Sequence, residues 1–422
     1  MALTKTTFSM IDGSVVNVLD YIPQSEHAAI RNVTSTYDCT SAFNAALATG
    51  RDVFVPGGRY RIESAINFTN RAGGYQKLFG EGWGIGGNGS IIQANTGGVA
   101  IDCTGSQFIT IEDLGIESAT GTLTNPATVG ILTARSTVSQ YAQFVTVRNV
   151  YVHMVHDDTA NNNYGSVALY NCAAEIHHYD NVYLIADTPL ALNPYNTQWA
   201  IASPYTTIDN SIVSMSMITV SGASTLNSTS TSRSCLFVRN AFGIVCENVY
   251  LTGSPATSTD WDGVVNFKFN GHLETGDKYV AFMRQCYGFD LRWTGGPTNV
   301  SPIWLGIAFT GIGNGSIMSD NVDVGWPFII EGAVISTLGD IRINISGDDG
   351  VTPTTNLANK SAVNRTIQKS ATNGGIQFQN VPDAMIFQAF FTGSAPINSL
   401  VHDPATGKIC WKDNAGVVHP LY

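Results

Sequence analysis

The sequence predicts an all-β fold, a right-handed single-stranded parallel β-helix with a short amino-terminal capping helix and a small β-rich carboxyl end. Three observations predict it. Short segments of the form apolar-x-apolar-x-[Asp/Asn]-apolar-x-apolar recur along the chain, no helical pattern separates them, and the composition is one of strands and turns. Of 422 residues 42 are Gly, 44% are hydrophobic and only 13% are charged, where soluble chains carry about 25% charged residues.

Strong helical periodicity occurs once, in residues 38–50. Asp38 or Thr40 caps its amino end, Phe43, Ala46 and Leu47 share a face, and Gly50 supplies the stop. A short strand over residues 52–56 follows, and Gly57-Gly58 turns the chain into a second strand ending at Ile62. From about residue 99 the repeat takes over: ITIEDLGI, VTVRNVYV, HHYDNVYL, GIVCENVYL, YGFDLRW, IMSDNVDV and LGDIRI, with a weaker copy, TTIDNSIV. The anchors Asp113, Asn149, Asn181, Asn210, Asn248, Asp290, Asn321 and Asp340 stand 19–42 residues apart, the self-similarity of a solenoid. Without helices between the strands, parallel pairing cannot come from βαβ crossovers, whereas coils stacked on coils provide it. The rival, an antiparallel sandwich, needs hairpin turns between adjacent strands and leaves the long repeat unexplained. The expected parts are residues 1–25 as a connector, 26–98 as cap and first coils, 99–350 as the β-helix, and 351–422 as a separate β-rich region after the break DDGVTPTT.

Composition excludes several functions. A net charge of −11 and a pI near 5.1 argue against nucleic acid, and no Lys lies between Lys77 and Lys268. The opening MALTKTTFSM lacks the apolar core of a secretory signal, and no segment is long and apolar enough for a membrane span, so no membrane insertion is expected. The seven cysteines (Cys39, Cys103, Cys172, Cys235, Cys246, Cys286 and Cys410) are odd in number and without a CxxC pair, which reads as buried free thiols. P-loop, GxSxG, HExxH and EF-hand patterns do not occur, and neither a cofactor nor a metal is expected.

Residues 16–62 resemble the opening of bacteriophage tailspikes with a pectate-lyase-type β-helix. Val53, Val55, Pro56, Gly58, Tyr60 and Ile62 match the V-x-V-P-x-G-x-Y-x-I strand that starts the first coil in that family. The end, LVHDPATGKICWKDNAGVVHPLY, is similar to the closing β-hairpins of phage tail proteins. The resemblance implies a homotrimeric virion protein, made in the bacterial cytoplasm, that binds and cleaves bacterial surface polysaccharide (capsule, exopolysaccharide or O-antigen) outside the cell. No large amino-terminal particle-binding domain of the family's kind is expected, and attachment to the tail is expected through the first ~20 residues or an adaptor protein. Residues 384–391, AMIFQAFF, are apolar enough to demand cover, and the 351–422 region is expected to be the trimerisation region.

Strand alternation assigns faces. Positions −4, −2, +1 and +3 from each anchor are mostly apolar and face inward. Position −1 then faces outward and reads Glu112, Arg148, Asp180, Asp209, Glu247, Phe289 and Asp320; position +2 reads Gly115, Tyr151, Tyr183, Ile212, Tyr250, Arg292 and Asp323. Coils ~4.8 Å apart would stack these carboxylates and tyrosines into one strip suited to carbohydrate. Glycoside hydrolysis needs two carboxyl groups ~5–5.5 Å apart for retention or ~6.5–9.5 Å for inversion. Asp180, Asp209 and Glu247 are therefore the expected catalytic carboxylates, and Arg148, Tyr151, His153, His178, Tyr183, Tyr250 and Arg292 the expected substrate contacts. The same parts suit a lyase, in which a Tyr or His takes the proton beside a uronate carboxylate and an Arg neutralises it. A receptor-binding fibre that only grips glycan is the third reading, and the strip also suits contact between copies of the chain. His153, His156, Asp157 and Asp158 read as a solvated loop, His177 as a core histidine, and Asp260, Trp261, Asp262, His272, Glu274 and Asp277 as a protruding loop.

Overall fold

The computed structural model describes residues 14–68, 74–84, 89–119, 123–135, 142–157, 159–160, 165–192, 215–253, 257–275, 279–284, 287–295, 313–320, 341–346, 376–379, 399–403, 408–413, 415 and 417–420. Coil lies upon coil in parallel. One inward row runs Val16, Val53, Leu78, Ile111, Val147, Tyr179, Val220, Cys246, Phe269 and Leu291, each paired in register with the next, and the strands Gly313–Asp320, Ile341–Ser346 and Ile376–Gln379 continue the parallel pairing. Each coil contributes to three walls. Its strand before the anchor forms a first sheet and the strand after it a second. A third sheet stacks eight parallel strands from Ile66–Asn67 to Tyr279–Arg284.

The inward positions close the core as the alternation predicts. Ile109, Ile111, Leu114 and Ile116, then Val145, Val147, Val150 and Val152, then Ile244, Cys246, Val249 and Leu251 are all buried. Each such side chain contributes about 1.5–3 kcal/mol on leaving water. The six described cysteines are buried free thiols, Cys410 in the carboxyl-terminal sheet and the other five in the solenoid core, and Cys286 lies outside the described residues.

The anchors do more than mark the repeat. Asp113, Asn149, Asn181 and Asn248 have φ of 55°, 52°, 49° and 56°, the left-handed conformation that Asn and Asp adopt more readily than other side chains. Each bends its strand outward of the core and divides the first sheet from the second. Their side chains also join: the Asn149 amide donates to Asp113 Oδ1 at 3.0 Å, and the Asn181 amide to Asn149 Oδ1 at 2.8 Å. Gly222, at φ 71°, takes the corner of the next coil.

Residues 38–50 form the expected helix, Thr40–Ala48, with Asp38 Oδ1 accepting from the Thr40 backbone N–H at 2.9 Å. A second helix, Gln24–Arg31, was not expected, because its one large apolar side chain, the buried Ile30, is too little to mark a helical face. Gly58, at φ 150°, passes so close to this helix that a Cβ would lie 2.8 Å from Ile30 Cγ2. The strands Val53–Val55 and Gly58–Ile62 bury Val53, Val55, Tyr60 and Ile62. At the carboxyl end Ser399–Asp403, Lys408–Lys412 and Val418–Pro420 form an antiparallel three-stranded sheet. Residues 384–391 lie outside the described residues.

Two readings are corrected. Residues 260–274 are not a protruding loop: Thr257–Asp262 is a strand of the third sheet and Val265–Thr275 a full coil of the other two. Trp261 is buried and stacks on Phe267 with centroids 4.3 Å apart. That coil has no Asn or Asp corner, since Asn270 pairs with Glu247 and Gly271 directly with Val249, so the anchor pattern passed over it. His156 is not in a simply solvated turn either. Its Nδ1 is 2.5 Å from Oδ1 of the fully buried Asp187, which also accepts from Asp157 N (2.9 Å), Ser166 N (2.9 Å), Ser166 Oγ (3.2 Å) and Thr229 Oγ1 (2.8 Å). Asp157 belongs to this clamp through its backbone, and Asp158 and Asp277 lie outside the described residues.

Two stability predictions follow from the corner and the clamp. Asn149→Ala loses two ladder bonds and strains the left-handed corner, a cost of about 2–3 kcal/mol. Asn149→Gly keeps the backbone relaxed and loses less, an order that thermal unfolding of the two variants checks. Burial pushes the Asp187 carboxyl pKa up, but the Ser166 and Asp157 N–H groups, His156 and Thr229 outweigh it and hold the pKa below the usual range. Its stabilisation is therefore present above the ordinary aspartate pKa and is lost as pH falls through the depressed one. As pH falls below about 4 the wild type should lose this contribution, and Asp187→Asn, already destabilised at neutral pH, should show a flatter acid limb in the same unfolding series.

Candidate functional site

The corner separates two outward rows that the sequence placed on one strip. The row before the corner runs Glu112, Arg148, Asp180 and Ser221, then Glu247, Asn270 and Arg292. Ser221, in the strand Met215–Ser221, occupies the place expected for Asp209: it is the rung after Asp180, and its coil turns at Gly222. Asp209 itself lies outside the described residues. Arg292 belongs to this row and not to the tyrosine row. Asp290 aligns with Lys268 three places before the corner, and Phe289, expected outside, is buried. The FDLRW pattern fits both alignments, and only the register distinguishes them.

Charges in this row are closely paired. Glu112, with 5% of its side chain exposed, sits between Lys77 and Arg148, the latter at 2.5 Å. Burial raises its carboxyl pKa, but the two cations outweigh this and lower it overall. The Ser221 hydroxyl donates to Asp180 Oδ1 at 2.9 Å and lies 3.4 Å from Nε2 of the exposed His178. Lys268 Nζ donates to Glu247 at 2.5 Å, and Arg292 pairs with Asp290 at 3.1 Å. Asp180 and Glu247 stand two rungs apart, with Ser221 between them.

Beyond the corner, the second row runs Arg59, Ile91, Gly115, Tyr151, Tyr183, Thr225, Tyr250 and His272. Trp83 crosses above Gly115 and stacks on Tyr151 with centroids 5.3 Å apart and 15° between planes. Tyr151 stacks on Tyr183 at 5.7 Å, and Tyr250 on His272 at 5.3 Å. Parallel, in-register strands bring like side chains into contact this way, with no loop needed to position them. Two residues further along each strand lies a polar row: Arg61, Gln93, Glu117, His153, Ile185, Asn227, Thr252 and Glu274.

Acid–base groups gather where these two rows meet Trp83. Glu117 is the direct cross-strand neighbour of His153, and Arg59 Nη2 lies 3.5 Å from Glu117 Oε2. The Tyr151 hydroxyl is 3.2 Å from His153 Nδ1. Arg59 Nε is shielded from solvent without a hydrogen-bond partner. Burial raises the Glu117 carboxyl pKa against the pull of Arg59, and burial lowers that of His153. Tyr151 is pushed up to about 12 by burial and then by the Glu117 charge. A carboxyl whose acid form burial favours, beside an imidazole whose neutral form burial favours, sets a donor and an acceptor together. Farther along, the Tyr250 hydroxyl donates to Glu274, and burial followed by that bond pushes its pKa up to about 12.

The expected residues thus divide. Tyr151, His153, Tyr183 and Tyr250 share one wall, while Arg148, Asp180, His178, Glu247 and Arg292 lie around the corner on the other. His177 is a core residue, bonded to Asn171 and Tyr179 and with its pKa pushed down to about 4 by burial. Sequence reasoning missed Glu117, Arg59 and Trp83. Glu117 was findable: it lies four places after Asp113, where period two continues the outward face, and His153 repeats the place one coil later. Trp83 belongs to no repeat and had no such signal. Among the described residues no group of His, Cys, Asp and Glu has the arrangement of a metal site.

No known protein family matches the chain, and no curated protein does. Solved structures do. The tailspike gp42 of Acinetobacter phage vb_AbaP_AS12 is 10% identical, over 96% of this chain and 76% of its own, with a TM-score of 0.48. ORF18 of Geobacillus virus E2 is 13% identical, over 97% of this chain and 86% of its own, with a TM-score of 0.41. The A-module of the Azotobacter vinelandii mannuronan C-5 epimerase AlgE6 is 11% identical, over 79% of this chain and 94% of its own, with a TM-score of 0.45. Phage tailspikes and other β-helix enzymes thus stand among the structures this chain is similar to.

Proposed function

We propose that the protein is a homotrimeric phage-tail component that binds a bacterial surface polysaccharide along the aromatic ladder of the second sheet and depolymerises it. One observation carries the reading: Trp83, Tyr151 and Tyr183 form a continuous stack whose polar flank holds Glu117, His153 and Arg59. Aromatic side chains offer sugar rings apolar contact, and the flank offers hydrogen bonds and proton transfer. Attachment to the tail and the trimer rest on the sequence resemblance at the two ends.

In this reading Glu117 protonates the leaving glycosidic oxygen and neutral His153 takes the opposing proton, with Tyr151 holding the imidazole and Arg59 steering the carboxyl. Where the product carries a new conjugated double bond, the proton came from a sugar carbon and the enzyme is a lyase. Where it does not, the proton came from water and the enzyme is a hydrolase. Hydrolysis by Asp180 with Glu247 is the second reading. Their two-rung separation, ~9.6 Å along the solenoid, lies at the upper end of the inverting range. Asp209 belongs to this second reading as well.

Variants separate the two. Glu117→Gln and His153→Ala should each slow polymer shortening by about 10²-fold or more, within the usual worth of a general acid or base. Both should leave glycan binding unchanged. Asp180→Asn and Glu247→Gln should cleave at the wild-type rate, and their inactivity with a fully active Glu117→Gln would establish the second reading. Because Glu117 must hold its proton, cleavage should decline as pH rises through its raised carboxyl pKa, a limb that the pH–rate profile of the wild type checks. A wild type that binds but shortens no glycan from a broad strain panel would be a receptor-binding fibre.

A further inference from the structure

The aromatic ladder has a gap. Tyr183 and Tyr250 occupy the same row two rungs apart, and the rung between them carries Thr225. Both tyrosines stack away from the gap, Tyr183 toward Tyr151 and Trp83, and Tyr250 toward His272, with planes 5° apart in the last pair. Among the described residues no ring contact joins Tyr183 to Tyr250. Two rungs place their inner faces ~9.6 Å apart. A flat group with carbon contacts of ~3.5–4.0 Å on each side fills about 7–8 Å, and a puckered ring fills the remainder. Thr225 forms the floor, and Asn227, two residues on and outward on the same coil, forms the rim.

We infer that Tyr183, Thr225 and Tyr250 form a slot for one pyranose ring whose hydroxyls are all equatorial, a gluco-configured unit of the polymer. This rests on the reading of the ladder as a glycan platform and narrows its substrate class. The negative faces of both tyrosines meet positive C–H edges. Only an all-equatorial ring presents axial C–H groups, and no hydroxyl, on both of its faces. A manno-configured ring aims one axial hydroxyl at an aromatic wall, where it loses its water without gaining a partner. The slot lies two rungs from Tyr151, on the wall that also carries Glu117 and His153. Its outer edge stays polar through Asn227 and through Glu274, which holds the Tyr250 hydroxyl.

The test uses the full chain and three soluble probes, cellotetraose, chitotetraose and β-1,4-mannotetraose, with calorimetry for affinity and saturation-transfer NMR for contacts. The wild type should bind the two gluco-configured probes at least tenfold more tightly than the mannose one, with saturation reaching the sugar C–H protons from the Tyr183 and Tyr250 rings. Thr225→Phe fills the slot and makes the ladder continuous. It should lose 30-fold or more in affinity while its thermal midpoint holds or rises, a combination that misfolding does not produce. Thr225→Ala should bind within twofold of wild type. Undiminished binding by Thr225→Phe, equal affinity for the mannose probe, or no binding of any probe each overturns the slot. If the wild type nevertheless shortens host polysaccharide, the glycan function stands without the slot. If it neither binds nor shortens polymer, both fall.

Discussion

Coil-over-coil register is the constraint on which the rest of the structure depends. In a solenoid each side chain has two permanent neighbours, one rung above and one below, and sequence distance along the chain is irrelevant to contact. Register is enforced from inside by a continuous apolar column, where a slip of one residue would expose every Ile, Val and Leu of a strand. It is enforced at the edge by the left-handed corners, whose side chains bond Asn149 to Asp113 and Asn181 to Asn149. Together these hold the outer rows fixed, so that surface chemistry is built from rungs instead of loops.

The two outer rows use that rigidity differently. Before the corner, acids and bases meet one another: Glu112 with Lys77 and Arg148, Glu247 with Lys268, Asp290 with Arg292. Such pairs keep their charges satisfied and give a ligand little to compete for. Beyond the corner the rungs are aromatic, interrupted at Thr225 and bordered by Glu117 and His153, whose protonation burial has moved toward the neutral forms. A ladder of this kind costs little conformational entropy on binding, because the strands have already ordered its rings.

Much of the fold was legible in the sequence, and the reason is physical. The corner requires a residue that tolerates positive φ, so Asp113, Asn149, Asn181 and Asn248 announce the coils, and the alternation about them predicts which residues are buried. Legibility failed where Gly or nothing replaced those residues. The coil turning at Gly222 was assigned to Asn210, which displaced Asp209 into a row that Ser221 occupies. The coil Val265–Thr275 has no corner residue and was passed over, and Asp290, read as a corner, placed Arg292 on the wrong wall. Glu117 was visible but unsearched, since only one place on each side of the anchor was considered. Trp83 reaches the ladder from a segment that belongs to no repeat, and no pattern in one sequence reports such a crossing.

Cross-linking across one rung tests the register most directly. Asn227 and Thr252 face outward on adjacent coils and are direct partners. Their Cα atoms should be ~4.8 Å apart, inside the ~4.4–6.8 Å span that a disulfide bridges. The six described native thiols are buried and do not compete. The double variant Asn227→Cys, Thr252→Cys should oxidise to an intrachain disulfide, while Asn227→Cys with Leu251→Cys, which aims one thiol into the core, should remain reduced. A disulfide in the second variant and none in the first would contradict the stacking on which the ladder, the slot and the acid–base cluster all stand.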